Sequence, residues 1–387
     1  MRLHDEDVRT TNRFIEAAVD LAVRELLQVR FRQLNTKLVS DVLRQSGVTT
    51  AGYYDETTLR KCFHALKATR DWPTHRYDAS MVSAPSDEFR FLSTLAVERG
   101  LRPSVLPVER RALATRGGDL SVLQWGEAAP TFVFLHGLGQ NAHTFDTVAL
   151  MLAAPLVSVD LPGHGWSDAA TDAMTSLETI ADVLSDGLEP LLTSPAVLVG
   201  MSLGGLCAIA LAQRQPTWWS HLVLLDITPG ARSEKARGVL DFLDGPDSFD
   251  SHEDMVARAL AHNPTRSRES LERGVALNAR QREDGKWVWH HQVHTSRLRP
   301  QFDAAQLWST LHDLPLPVSL LHGTRSDSMV DSDDRRAFAE ERPTDVVVAI
   351  EGAGHALQSE SPEAVASYLD SVRPSAALRE RPEGENA

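Results

Sequence analysis

The pentapeptide Gly200-Met201-Ser202-Leu203-Gly204 constrains this chain more than any other feature. The apolar run Ala196-Val197-Leu198-Val199 before it is strand-like. Gly205-Leu206-Cys207-Ala208-Ile209-Ala210-Leu211-Ala212 after it is rich in helix formers. Strand, G-x-S-x-G and helix in that order imply a sharp turn that lifts a serine hydroxyl clear of the backbone. The serine in such a turn is strained, and its neighbours must be small, as Gly200 and Gly204 are. The first amides of the helix then point at whatever reacts with Ser202.

The rest of the chain, from about residue 108, alternates strand-like and helix-like runs. Strands are expected at 120–125 (as an edge), 131–135, 156–160, 196–199, 221–226, 317–322 and 345–350, with a closing helix over 362–372. That rhythm predicts an α/β fold: a mostly parallel sheet with helices on both faces. It stops between Gly230 and about Leu314, where the sequence turns polar and helix-prone around 255–260 and 270–278. An insertion there leaves the sheet beside the serine strand, so 231–314 is expected to be a helical cap over the site. The core then comprises 106–230 and 315–373. Residues 1–105 form a separate segment, with an amphipathic helix over 14–29, further helices near 38–44 and 55–66, and a mixed linker over 71–105. The polar end, 374–387, is expected to be disordered.

Composition narrows the setting. Only Cys62 and Cys207 occur among 387 residues, too few for a disulfide framework, and no metal-ligand spacing exists. No cofactor is expected, and a reducing cytoplasm is the simplest compartment. The first residues, Met1-Arg2-Leu3-His4-Asp5-Glu6-Asp7, do not resemble a secretory signal, and no run of 18 apolar residues exists to span a membrane. The net charge of −14 is uneven: residues 1–105 carry 16 Lys and Arg against 14 Asp and Glu, the remainder 23 against 39. An acidic body of this kind argues against general nucleic-acid binding.

A serine hydroxyl needs a base, and the base needs an orienting acid. His355, in Glu351-Gly352-Ala353-Gly354-His355 after the last strand, is the expected base. Asp327, in the loop after the strand ending at His322, is the expected acid. Asp226, at the end of the preceding strand, is the alternative, while Asp331, Asp333 and Asp334 suit the start of the next helix. Two amide donors should stabilise the oxyanion. They are the N–H of Leu203 and, in the loop His136-Gly137-Leu138-Gly139, the N–H of Leu138, with His136 packed beneath. Gly139, His143, Met201, Trp287 and Trp289 are candidate pocket residues; the two indoles shape an acyl pocket or fasten the cap.

The segments Leu135-His136-Gly137-Leu138-Gly139, Val159-Asp160-Leu161-Pro162-Gly163-His164-Gly165, Val199-Gly200-Met201-Ser202-Leu203-Gly204-Gly205 and Gly352-Ala353-Gly354-His355 resemble the α/β-hydrolase family over roughly 108–372. The resemblance is to the capped esterase, lactonase and C–C hydrolase branch. It implies Ser202 as nucleophile, His355 as base and Asp327 as acid. Met201 stands where a histidine is often found, and the loop at 136–141 lacks the glycine run or proline of some branches. The expected reaction is hydrolysis of a small or medium apolar ester, thioester or lactone through an acyl-enzyme. Cleavage of a C–C bond with the same residues is the alternative. A third reading is a ligand sensor whose N-terminal helices form a helix-turn-helix. A dimerisation arm or extra lid is the expectation preferred for those helices.

Overall fold

Runs such as Phe132-Val133-Phe134-Leu135 are apolar without a break because both of their faces are buried. A computed structural model describes residues 88–101, 106–168, 176–231, 235, 237–291 and 304–375. Its strands are β1 (Val108–Thr115), β2 (Gly118–Trp125), β3 (Phe132–Leu135), β4 (Leu156–Val159), β5 (Ala196–Met201), β6 (Trp219–Leu225), β7 (Ala279–Gln281), β8 (Trp287–Trp289), β9 (Val318–Gly323) and β10 (Val346–Ile350). Eight of them form one sheet in the order β1-β2-β4-β3-β5-β6-β9-β10, and β7 and β8 form a separate hairpin. β1 and β2 run antiparallel to their neighbours, and all other pairs in the main sheet are parallel.

The helices are α1 (Leu92–Glu98), α2 (Asp146–Leu152), α3 (Leu177–Leu188), α4 (Leu203–Arg214), α5 (Arg237–Leu243), α6 (His252–His262), α7 (Arg268–Asn278), α8 (Leu307–Asp313), α9 (Ser332–Glu341), α10 (Leu357–Glu360) and α11 (Pro362–Ser371). The period of two along each strand sorts the core into two layers. Val133, Leu135, Leu198, Leu222 and Leu224 join a cluster with α3, α4 and α8. Phe132, Phe134, Val197, Val199, Val223 and Leu225 join another with α1, α2 and α11.

The order reverses at β3, which lies between β4 and β5. The loops leaving β3 and β5 therefore diverge to opposite faces and open a crevice at the strands' C-terminal ends, where ligands bind in sheets of this type.

Three expectations are corrected. The edge strand is β1, and β2 lies inside it; Glu109, Arg110 and Arg111 hide β1 from an apolar pattern. Residues 88–101 are no linker: Leu95 and Ala96 of α1 bury themselves in the same layer as Phe132. The insertion ends earlier than 314, because Leu307 and Leu311 of α8 pack into the body's core. Between β6 and α8 lie α5, α6, α7 and the β7–β8 hairpin, which the polar sequence of 279–289 conceals. They have an apolar core of their own, with Phe249, Met255, Val256, Leu271, Val275 and Trp289. The helices expected over 14–66, the helix-turn-helix, the dimerisation arm and most of the polar end (376–387) lie outside the described residues. Among those described, no helix is long and apolar enough to cross a membrane.

Candidate active site

Ser202 is the first residue after β5 and has φ +52° and ψ −122°. A non-glycine residue rarely adopts a positive φ, so the surroundings must hold this turn in place. They do so by close backbone approach. A Cβ on Gly204 would stand 2.2 Å from the Leu135 carbonyl oxygen, and one on Gly200 would stand 2.4 Å from that of Gly204. The Ser202 N–H reaches the Leu225 carbonyl at 3.3 Å, and α4 begins at Leu203, where the Gly205 and Leu206 N–H groups bond the Ser202 carbonyl while the amides before them are left free of intrahelical partners.

The loop after β3 lies against this turn. A Cβ on Gly137 would fall 3.2 Å from Ser202 Cβ and 2.6 Å from Met201 Sδ, so only glycine lets the loop come so near. Two buried histidines fix its peptides. His136 donates through Nδ1 to the Gly137 carbonyl at 2.8 Å and accepts the Leu161 N–H on Nε2 at 2.9 Å. His164 donates through Nδ1 to the Pro162 carbonyl at 3.1 Å and accepts the Gly139 N–H on Nε2 at 3.1 Å. Each ring thus has one donor and one acceptor nitrogen, which requires the neutral form. Burial enforces this: it lowers the pKa of His136, and with His136 nearby it pushes His164 down to about 3. The Gly137 N–H goes to Gln140 Oε1 at 3.1 Å. Between the Gly137 and Gly139 amides, the Leu138 N–H donates to no group among the described residues. Fixing the Gly137 carbonyl aims it, because N–H and C=O point opposite ways across one trans peptide.

The imidazole of His355 meets Asp226 and not the expected Asp327. His355 Nδ1 lies 2.9 Å from Asp226 Oδ2. Asp226 is wholly buried and accepts three further bonds, from the Gly323 N–H (3.0 Å), the Ser328 hydroxyl (2.5 Å) and the Met329 N–H (2.7 Å). Asp327 has a half-exposed side chain (55%) and a bidentate partner in Arg325, whose hydrogen bonds hold its carboxyl below the usual range. The physical reason is competition: a guanidinium two residues away captures Asp327, whereas the end of β6 carries Asp226 beneath the histidine loop. The loop itself is fixed by Arg325 N–H to the Ala353 carbonyl (3.0 Å) and Gly354 N–H to Glu360 Oε2 (2.8 Å). Asp331 caps α9 in a capping box with Asp334, as the sequence suggests.

The pocket candidates divide. Gly139, with φ +74°, faces the insertion, since a Cβ there would stand 2.7 Å from Leu243 Cδ2. Met201 is buried beneath Gly137. His143 lines nothing: its ring is held between Asp146 (2.8 Å) and Glu88 (3.0 Å). Trp287 and Trp289 fasten the insertion to itself, with Trp287 against His252 (5.3 Å) and Trp289 against Phe242 and Phe249 (5.5 and 5.9 Å). Two contributors escaped the sequence reading. Ser328 signals nothing beyond a polar loop, and Asn278 is a lone amide ending a helix.

Comparison with known proteins places the chain in a family. Residues 132–368 match the alpha/beta hydrolase family. Esterase Rv0045c of Mycobacterium tuberculosis is 36% identical over 292 residues, covering 74% of this chain and 95% of that protein. A crystal structure of that esterase superposes with a TM-score of 0.66 at 35% identity, covering 75% and 99% of the two chains. A pimeloyl-[acyl-carrier protein] methyl ester esterase of Aromatoleum aromaticum is 29% identical over 259 residues, covering 63% of this chain and 98% of that one. The chain is an enzyme of the alpha/beta hydrolase family.

Proposed function

We propose that this hydrolase cleaves carboxylic esters, thioesters or lactones of small or medium apolar acyl groups through Ser202, His355 and Asp226. The observation that carries this reading is the His355 Nδ1 bond to buried Asp226, which follows a strand paired in parallel with the one that ends before a serine with positive φ. Ser202 Oγ attacks the carbonyl carbon while His355 Nε2 takes its proton. Asp226 holds the Nδ1–H tautomer and stabilises the imidazolium. The N–H groups of Leu203 and Leu138 receive the oxyanion, which neutral amides in a water-poor crevice can stabilise by several kcal/mol, about 3 per donor. Collapse expels the alcohol, protonated by His355. Water then attacks the acyl-enzyme with His355 again as base, and the acid leaves.

The esterase names of two relatives, one of them 36% identical, favour ester hydrolysis over C–C cleavage. Intact mass after a fluorophosphonate probe, beside turnover of a p-nitrophenyl ester series, tests the reading. One adduct on the wild type, none on Ser202→Ala and turnover on short acyl chains are expected. An unlabelled, well-folded wild type without turnover would refute it.

A further inference from the structure

We propose that Asn278, which ends α7 in the insertion, is a positioning residue for the oxyanion hole, so that the hole is complete only while the insertion is seated. This rests on the esterase reading above. Asn278 Nδ2 donates to the Gly139 carbonyl at 2.8 Å. That bond closes a series along three successive peptides of the loop. His136 fixes the Gly137 carbonyl, on the peptide that carries the Leu138 N–H. His164 fixes the Gly139 N–H, and Asn278 fixes the Gly139 carbonyl. Gly139 sits at φ +74° and has no side chain to limit its rotation, so its conformation depends on what holds its two polar groups. Releasing its carbonyl frees the peptide after it, and the turn in which Gln140 N–H reaches the Gly137 carbonyl at 3.1 Å loosens with it. The Leu138 N–H then loses its aim.

Of these clamps only Asn278 comes from the insertion. Its place is set on both sides. The His290 N–H donates to the Asn278 carbonyl at 2.9 Å, which ties it to the β7–β8 hairpin. Asn141, at the far end of the oxyanion loop, donates through Nδ2 to the Leu277 carbonyl at 2.7 Å and lies 3.3 Å from Asn278 Oδ1. Leu243 of α5 covers Gly139 from the same side. An insertion that lifts to admit substrate breaks the Asn278 bond, and one that reseats restores it. Acylation is thereby coupled to closure without any residue of the insertion touching the reacting atoms.

The test compares wild type, Asn278→Ala and Asn278→Asp on p-nitrophenyl butyrate and on an alkyl trifluoromethyl ketone, which forms an oxyanion on the serine. Asn278→Ala is expected to lower kcat by about 10-fold, less than loss of a donor itself, with KM within about twofold. The ketone's inhibition constant should weaken by the same factor while the melting temperature holds. In Asn278→Asp the carboxylate repels the Gly139 carbonyl. Its activity relative to wild type should rise as pH falls and the acid regains a proton to donate. This near-isosteric variant also covers the case in which the alanine variant fails to fold. A fall in melting temperature with kcat and ketone binding unchanged would make Asn278 a fastening only and overturn the proposal. If wild type neither labels with fluorophosphonate nor turns over, the esterase reading falls and this inference with it. A labelled, active wild type with an equally active Asn278→Ala overturns the inference alone.

Discussion

Two histidines among the described residues hold a buried aspartate through Nδ1, at nearly the same distance, and only one keeps its other nitrogen clear of a second carboxylate. His355 meets Asp226 at 2.9 Å, and His143 meets Asp146 at 2.8 Å. The difference lies at the other nitrogen. His143 Nε2 faces Glu88 at 3.0 Å, so two carboxylates surround the ring. Burial opposes its charge, yet Asp146 and Glu88 outweigh burial and raise its pKa to about 9. An imidazole held protonated at neutral pH cannot accept a proton from a serine. Among the described residues nothing hydrogen-bonds His355 Nε2, and its Nδ1 partner Asp226 directly follows β6, the strand paired with the one that ends before Ser202. A His–Asp pair therefore identifies a catalytic base only when the second nitrogen is left for the reaction.

The largest expected effect breaks the reactive pair. Asp226→Asn should lower kcat by roughly 10³ to 10⁴ by favouring the wrong imidazole tautomer, measured as steady-state turnover on a protein that still folds. Turnover within tenfold of wild type would remove Asp226 from the mechanism. Next comes the other pair, read in stability. A pKa raised from 6.5 to about 9 on folding means that the native state holds its proton more tightly. The stabilisation is full below pH 6.5 and is lost as pH rises through 9, up to about 3 kcal/mol. Urea unfolding of wild type and His143→Gln at pH 6 and pH 9.5 checks this. The variant should lose most of that slope, and its kcat at pH 7 should stay near wild type. Smaller still is Ser328→Ala, which removes one of four donors to Asp226. It should lower kcat by about 10-fold, the worth of roughly 1.5 kcal/mol in a hydrogen bond to a charged group, with little change in KM.

Most of the sheet was legible because short unbroken apolar runs bounded by turn residues leave few other options, and glycine-flanked Ser202 and His355 stand out in sequence as residues that follow strands. The acid was not. Asp226 and Asp327 each follow a strand, in the right order, and sequence spacing cannot show that Arg325 turns back onto Asp327 or that Gly323, Ser328 and Met329 converge on Asp226. Those contacts depend on β6 and β9 being neighbours in the sheet. The role of His143 was hidden for the same reason, since Glu88 lies 55 residues away in the sequence. The Trp287 and Trp289 pair is correctly read as sharing a face. What that face meets is Phe242, Phe249 and His252, supplied by a core that the polar composition of the insertion disguises.

The weakest expected effect separates the two aspartates most sharply. Asp327→Asn should change kcat less than about twofold, because its carboxyl is bound to Arg325 and not to the imidazole. Its effect on stability should be only a few tenths of a kcal/mol, since a half-exposed ion pair is screened by water. Arg325 lowers the Asp327 pKa, so the pair stabilises the fold above the unfolded carboxyl's pKa and loses that contribution as pH falls through the lower folded value. A melting difference between wild type and Asp327→Asn should therefore exist at pH 7 and shrink toward pH 3. Arg325 also bonds Glu360, which holds the Gly354 N–H, so freeing the guanidinium from Asp327 leaves the histidine loop anchored. A hundredfold loss of kcat in Asp327→Asn, with Asp226→Asn active, would reverse the assignment and require the loops after β6 and β9 to rearrange when substrate binds.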